Sequence, residues 1–155
     1  MSAMGTANLN NTPSASSAAP INNALPVAER AGAERDWRLS IGSELQKLAA
    51  LPANWDGYGA APIDPHIIAA ARRVVGALGE TIGQQPRVVP MSAGNLQLEW
   101  HRGAKVLEFE FENPQTIRYL QWDPSAAIEA EDSLSTSELD RLAGLIDWFT
   151  LGTEA

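Results

Sequence analysis

Leu96–Phe111 reads LQLEWHRGAKVLEFEF. Apolar and polar residues alternate through LQLEWH (96–101) and again through VLEFEF (106–111), which predicts two half-buried strands joined as a hairpin. Leu96, Leu98 and Trp100 face the core from the first strand, and Leu107, Phe109 and Phe111 from the second. Facing residues of a hairpin point to the same side, so apolar must meet apolar, and a three-residue loop is excluded. Two registers remain. A turn at Arg102-Gly103 sets Leu98 opposite Leu107 and Glu99 opposite Val106. A four-residue loop, Arg102 to Lys105, sets Leu98 opposite Phe109 and Glu99 directly opposite Glu108. The first is preferred because it keeps the carboxylates apart.

Outward from the hairpin, TIRYLQW (116–122) follows the Asn113-Pro114 turn as a third strand. RVVP (87–90) adds at most a short edge piece, because Pro90 cannot donate within a central strand. The run EAEDS (129–133) reads as a solvated loop. Before the hairpin the apolar period is helical. Trp37, Ile41, Leu45 and Leu48 make one stripe of a helix starting near Asp36 and ending before Pro52. Ile67, Ala71, Val74, Val75 and Leu78 make another, with Asp64 as N-cap, Pro65 at the first helical position and Gly79 as the stop. Ser135 and Glu138 have capping-box spacing and announce a last helix with Leu139, Leu142, Ala143, Ile146 and Phe149 inward. The expected fold is α+β: two N-terminal helices, a three-stranded antiparallel meander, and a C-terminal helix packed on one face.

Residues 1–34 are expected to be a flexible low-complexity tail, and 35–155 a single domain. Ser, Ala, Asn, Thr, Pro and Gly dominate the first twenty positions. Such a composition buries too little apolar surface to offset ordering. Ile21, Leu25, Pro26 and Val27 form a small apolar island within it. The 155 residues include no cysteine, which removes disulfides and thiolate chemistry. Neither a spanning apolar run nor a secretory leader is recognisable, so a cytoplasmic protein with no membrane partner is expected.

The net charge of −8 is lopsided. Residues 1–98 carry seven acids and seven bases, whereas 99–155 carry twelve acids and four bases, the whole of the excess. Direct nucleic-acid binding is disfavoured, because phosphate contacts need clustered Lys and Arg. An acidic half steers instead toward a basic protein surface.

The candidate functional residues fall in three places. Glu99, His101, Glu108 and Glu110 share the outward face of the hairpin. Two carboxylates and an imidazole there have the chemistry to hold a metal or to exchange protons, as in a small metal-dependent hydrolase. A solvated or partner-binding face uses the same residues. Trp55 and Tyr58 lie in NWDGYGAAP (54–62), a glycine-rich connector that either plugs the core or offers an aromatic anchor. Leu145 and Trp148 lie off the main stripe of the last helix, as a lid or as a contact for a partner or a second copy.

NWDGYGAAP, the following helix, PRVVP, GNLQLEWH and LEFEF together resemble a scattered group of small bacterial proteins. These share a W-D-x-Y-G-A-x-P segment followed by a G-x-x-Q-L-E-W-H hairpin, and the resemblance covers about residues 50–112. The group has no established activity; its members look like accessory genes of mobile or phage-defence regions, which implies interaction with another protein. The leading expectation is therefore a non-enzymatic, cofactor-free module: a regulator, antitoxin-like neutraliser or inhibitor of a basic protein. A structural or assembly component that forms homo-oligomers is the third expectation.

Overall fold

The computed structural model describes residues 27–79 and 81–151, with side chains described from Trp37 onward. The expected tail therefore lies, over residues 1–26, outside the described residues. The chain divides into two units between Ala33 and Glu34, and the sheet and its core lie in the larger one, Glu34–Ala155.

Three helices and one five-stranded antiparallel sheet make up the fold: α1 (Val27–Ala49), α2 (Pro65–Leu78), β1 (Arg87–Pro90), β2 (Leu96–Arg102), β3 (Lys105–Asn113), β4 (Thr116–Asp123), β5 (Ile128–Ser135) and α3 (Leu139–Leu151). The strands lie in sequence order, β1-β2-β3-β4-β5. The expected three-stranded meander is thus corrected to five strands. RVVP is the edge strand β1, and the acidic run 129–133 is not a loop but most of β5. Its alternation is partial: Ile128, Ala130 and Leu134 share one side, but Asp132 interrupts that side, and Glu129, Glu131 and Ser133 occupy the other. The turn that starts it is built by Asp123, whose Oδ1 accepts from the Ser125 amide at 3.1 Å and its hydroxyl at 2.6 Å. Ala127 completes the turn at φ 56°.

The hairpin adopts the register that was expected to be the less favourable. Leu98 faces Phe109 and Glu99 faces Glu108, with Arg102 opposite Lys105. Turn chemistry explains the choice. Two-residue hairpin turns need a positive φ at their first central residue. This register puts Gly103 there, at φ 60°, where the alternative would have strained Arg102. The carboxylate pairing it imposes is offset only in part from the edge, where Arg87 of β1 lies opposite Glu99 with Nη1 4.0 Å from Oε2.

All three helices contribute to one core with the inner side of the sheet. Trp37, Ile41, Leu45 and Leu48 of α1, Ile67, Ala71, Val74 and Leu78 of α2, and Leu142, Ile146 and Phe149 of α3 are buried with Leu98, Trp100, Leu107, Phe109, Phe111 and Ile117. Trp100 meets Phe109 edge-on at 5.1 Å, and its indole Nε1 donates to the Gln84 carbonyl at 2.9 Å. α1 begins at Val27, nine residues before the expected start near Asp36. α2 starts as expected: Asp64 caps it by accepting from the His66 amide at 2.8 Å. Gly79 ends α2 in a right-handed conformation, so its role is not a left-handed stop. A Cβ there would collide with the Arg38 guanidinium. At the start of α3, the Ser135 amide donates to Glu138 Oε2 at 2.7 Å, which is the Glu half of the capping box.

Candidate functional site

Side chains alternate along every strand, so the helices cover one side of the sheet and the other carries mostly polar residues, with Val89, Val106, Leu120 and Trp122 among them. The observed registers arrange that outer side as a grid. One row runs Val89, Gln97, Glu110, Arg118 and Ser133, from β1 to β5. The next runs Arg87, Glu99, Glu108, Leu120 and Glu131, and a shorter one His101, Val106, Trp122 and Glu129. The four candidates of the hairpin are therefore brought together, and β4 and β5 add groups to them.

Most of the carboxylates are held by neighbours. Gln97 Nε2 donates to Glu99 Oε1 at 2.8 Å, and His101 Nε2 lies 3.4 Å from Glu99 Oε2. Asn95 Nδ2 donates to Glu110 Oε1 at 3.0 Å. Arg118 binds Glu131 through Nε at 2.9 Å and through Nη2. Only 15% of the Glu99 side chain is exposed, so the pair it forms with Glu108 is largely removed from water. Burial pushes the Glu108 carboxyl above the usual glutamate range, and facing Glu99 pushes it further, while His101 opposes. Unlike Glu99 and Glu131, Glu108 has no cation in ion-pair contact among the described residues. A recess of about 130 Å³ opens beside it, lined by Gln97, Glu108, Glu110, Arg118, Leu120 and Glu131. Along one flank, Val106 and Leu120 are half-buried and Trp122 is 38% exposed.

No three His, Asp or Glu side chains are grouped to hold a metal ion among the described residues. Glu110 turns toward Asn95 and His101 toward Glu99, so the four hairpin candidates do not converge on one point. His66 lies at the start of α2 and takes no part.

The connector NWDGYGAAP is fastened from within. Asp56 Oδ1 accepts from the amides of Tyr58 at 2.8 Å and Ala60 at 3.0 Å. Asn54, itself at φ 63°, accepts from the Gly59 amide at 2.6 Å and donates its own amide to the Ala60 carbonyl at 2.7 Å. Gly57 and Gly59, at φ 81° and 89°, supply the left-handed corners that Cβ-bearing residues resist. The two aromatics part company. Trp55 packs against the core and donates to the Ala61 carbonyl at 2.8 Å, whereas Tyr58 is 93% exposed. The loop is tied to the β1–β2 connection by the Ala61 amide on Ser92 and the Asp64 amide on Gly94.

Leu145 and Trp148 lie on the helical side, across the sheet from the carboxylates, and pack partly buried against the core. Lys105, on the inner side of β3 and 9% exposed, donates to the Trp148 carbonyl at 2.7 Å with its ammonium 4.3 Å from the Trp148 ring centre. Sequence reasoning missed Arg118, Leu120, Trp122, Glu129 and Glu131. The alternation of Ile128, Ala130 and Leu134 was the signal that could have supplied the last two.

No helix among the described residues is long and apolar enough to cross a membrane. No protein-family model, curated protein or solved structure was found to match the chain.

Proposed function

We propose that the chain is a non-enzymatic protein-binding module acting in the cytoplasm, a regulator or antitoxin-like neutraliser that occludes a basic surface of its partner. The observation that carries this reading is the outer face of the sheet. Strands β2, β3 and β5 carry its carboxylates, the helices pack on the opposite side, and Glu108 stands opposite Glu99 with a raised proton affinity. A cation from outside relieves that repulsion, and carboxylates held on strands lose little freedom when they bind. Tyr58, fully presented by a hydrogen-bonded loop, is suited to a second contact, since aromatics on rigid supports anchor interfaces at low entropic cost.

The test begins with affinity capture from the native host, followed by reconstitution with the purified partner and titration at rising ionic strength. The reading expects one basic protein at near-equal stoichiometry, with affinity that falls as salt rises and falls again in Glu99→Gln/Glu108→Gln. Binding that ignores both salt and those substitutions would overturn it.

A further inference from the structure

The recess beside Glu108 is amphipathic, and that narrows the kind of partner. Its volume of about 130 Å³ is well below the roughly 300 Å³ at which small-molecule pockets begin. It suits one long side chain. Leu120 contributes an aliphatic surface to it, and Glu108, Glu110 and Glu131 stand around the rim. Arg118 is already engaged by Glu131, so the rim keeps an excess of negative charge. Next to the recess, Trp122 leaves over a third of its surface exposed beside half-buried Val106, which it faces in the register. Val106, Leu120 and Trp122 thus adjoin on the water-facing side of the sheet, where an exposed aromatic beside apolar neighbours is suited to packing against a partner.

We propose that this recess receives a lysine or arginine side chain from a partner protein, with an adjacent apolar residue of the same segment packing on Trp122 and Val106. The stem of the basic residue lies along Leu120, and its head reaches Glu108 and Glu131. Charge decides against a second copy of this chain as the occupant. The net charge is −8, and two outer faces brought together would oppose Glu108, Glu110, Glu129 and Glu131 with their own counterparts. This proposal rests on the protein-binding reading but specifies where and by what chemistry the face is engaged.

The experiment uses the full chain, isotope-labelled for NMR, titrated with two capped synthetic peptides. One alternates lysine with leucine; the other replaces each leucine with serine at the same charge. The expected result is saturable shifts at the Trp122 indole and the Leu120, Glu108 and Glu131 amides with the first peptide. The serine peptide should bind at least several-fold more weakly. Glu108→Gln/Glu131→Gln and Trp122→Ser should each weaken binding about tenfold. Trp122→Phe should restore most of it. Equal binding of the two peptides would overturn the proposal, as would shifts spread over remote acids such as Asp140 and Asp147. If the captured partner still binds in a salt-dependent way while Trp122→Ser and the double variant have no effect, the recess fails and the binding-module reading survives. If no basic protein or peptide binds at all, both fail.

Discussion

Glu108 and Glu138 respond to acid in opposite directions. Glu108, raised first by burial and then by Glu99, contributes stability in its protonated form. That contribution is complete below the ordinary glutamate value of about 4.3 and is lost as pH rises through the higher folded value. At neutral pH its ionised form is therefore a liability, and Glu108→Gln is expected to raise the unfolding temperature. The gain should shrink to nothing on acidification below about pH 4; a gain equal at both ends would mean that packing, not charge, had changed. Glu138 is lowered first by the Ser135 amide and then by Arg141. Its stability is present above the ordinary value and is lost as pH falls through the lowered one. Glu138→Gln should lower the unfolding temperature at neutral pH, with the two proteins converging in acid. The same substitution at Glu108 is expected to weaken binding while stabilising the fold, the usual sign of a group kept for function.

At the scale of elements, the most informative join is between the β2–β3 turn and the end of α3. The last carbonyls of a helix have no partner within it and carry its negative pole. Arg102 Nη2 reaches the Thr150 carbonyl at 3.1 Å and Lys105 the Trp148 carbonyl at 2.7 Å, and both cations lie over the Phe149 ring. Lys105→Ala removes a charged hydrogen bond and leaves space beside Trp148, at an expected cost of about 2 kcal/mol in denaturant unfolding. The edge strands carry the opposite concern, since an open edge invites pairing with another chain. β1 ends in Pro90. On β5 the Ser133 amide donates to Asp132 Oδ1 at 2.8 Å and the Ser135 amide to Glu138, so carboxylates occupy two donors. Asp132→Val/Ser133→Val should therefore produce concentration-dependent oligomers in light scattering. Asp132, with Glu129 and Glu131, also hid β5 in the sequence, because charge on a protected edge reads locally as a solvated loop. β2 and β3 were legible because each has one wet and one dry side. β4 was legible as a strand, but with Arg118, Leu120 and Trp122 on its outer side, its contribution to the site was not. The register was misread because carboxylate repulsion was weighed without the turn's need for glycine or the cation that β1 brings.

For the whole molecule, the period of two separates folding from the candidate function, and that separation can be tested. Inner-side residues form one cluster with all three helices, so a large truncation there leaves a cavity between layers that cannot close. Phe109 is fully buried at the centre of the sheet, in contact with Trp100. Phe109→Ala is expected to cost about 3–5 kcal/mol. A domain of this kind holds only about 5–15 kcal/mol in total, so this variant should be partly unfolded near physiological temperature. Phe109→Leu, which keeps most of the volume, should not be. The adjacent outer residues should behave in the reverse way. Glu99→Gln/Glu108→Gln/Glu110→Gln removes three negative charges without changing shape, and the first two stand opposed in the register. That triple variant should keep the circular dichroism and cooperative unfolding of the parent, with a midpoint at neutral pH no lower than the parent's, and should lose affinity for a basic partner. A marked loss of stability would show that these carboxylates serve the fold through their bonds to Gln97, Asn95 and Arg87, and that the outer face is a structural network rather than a docking surface.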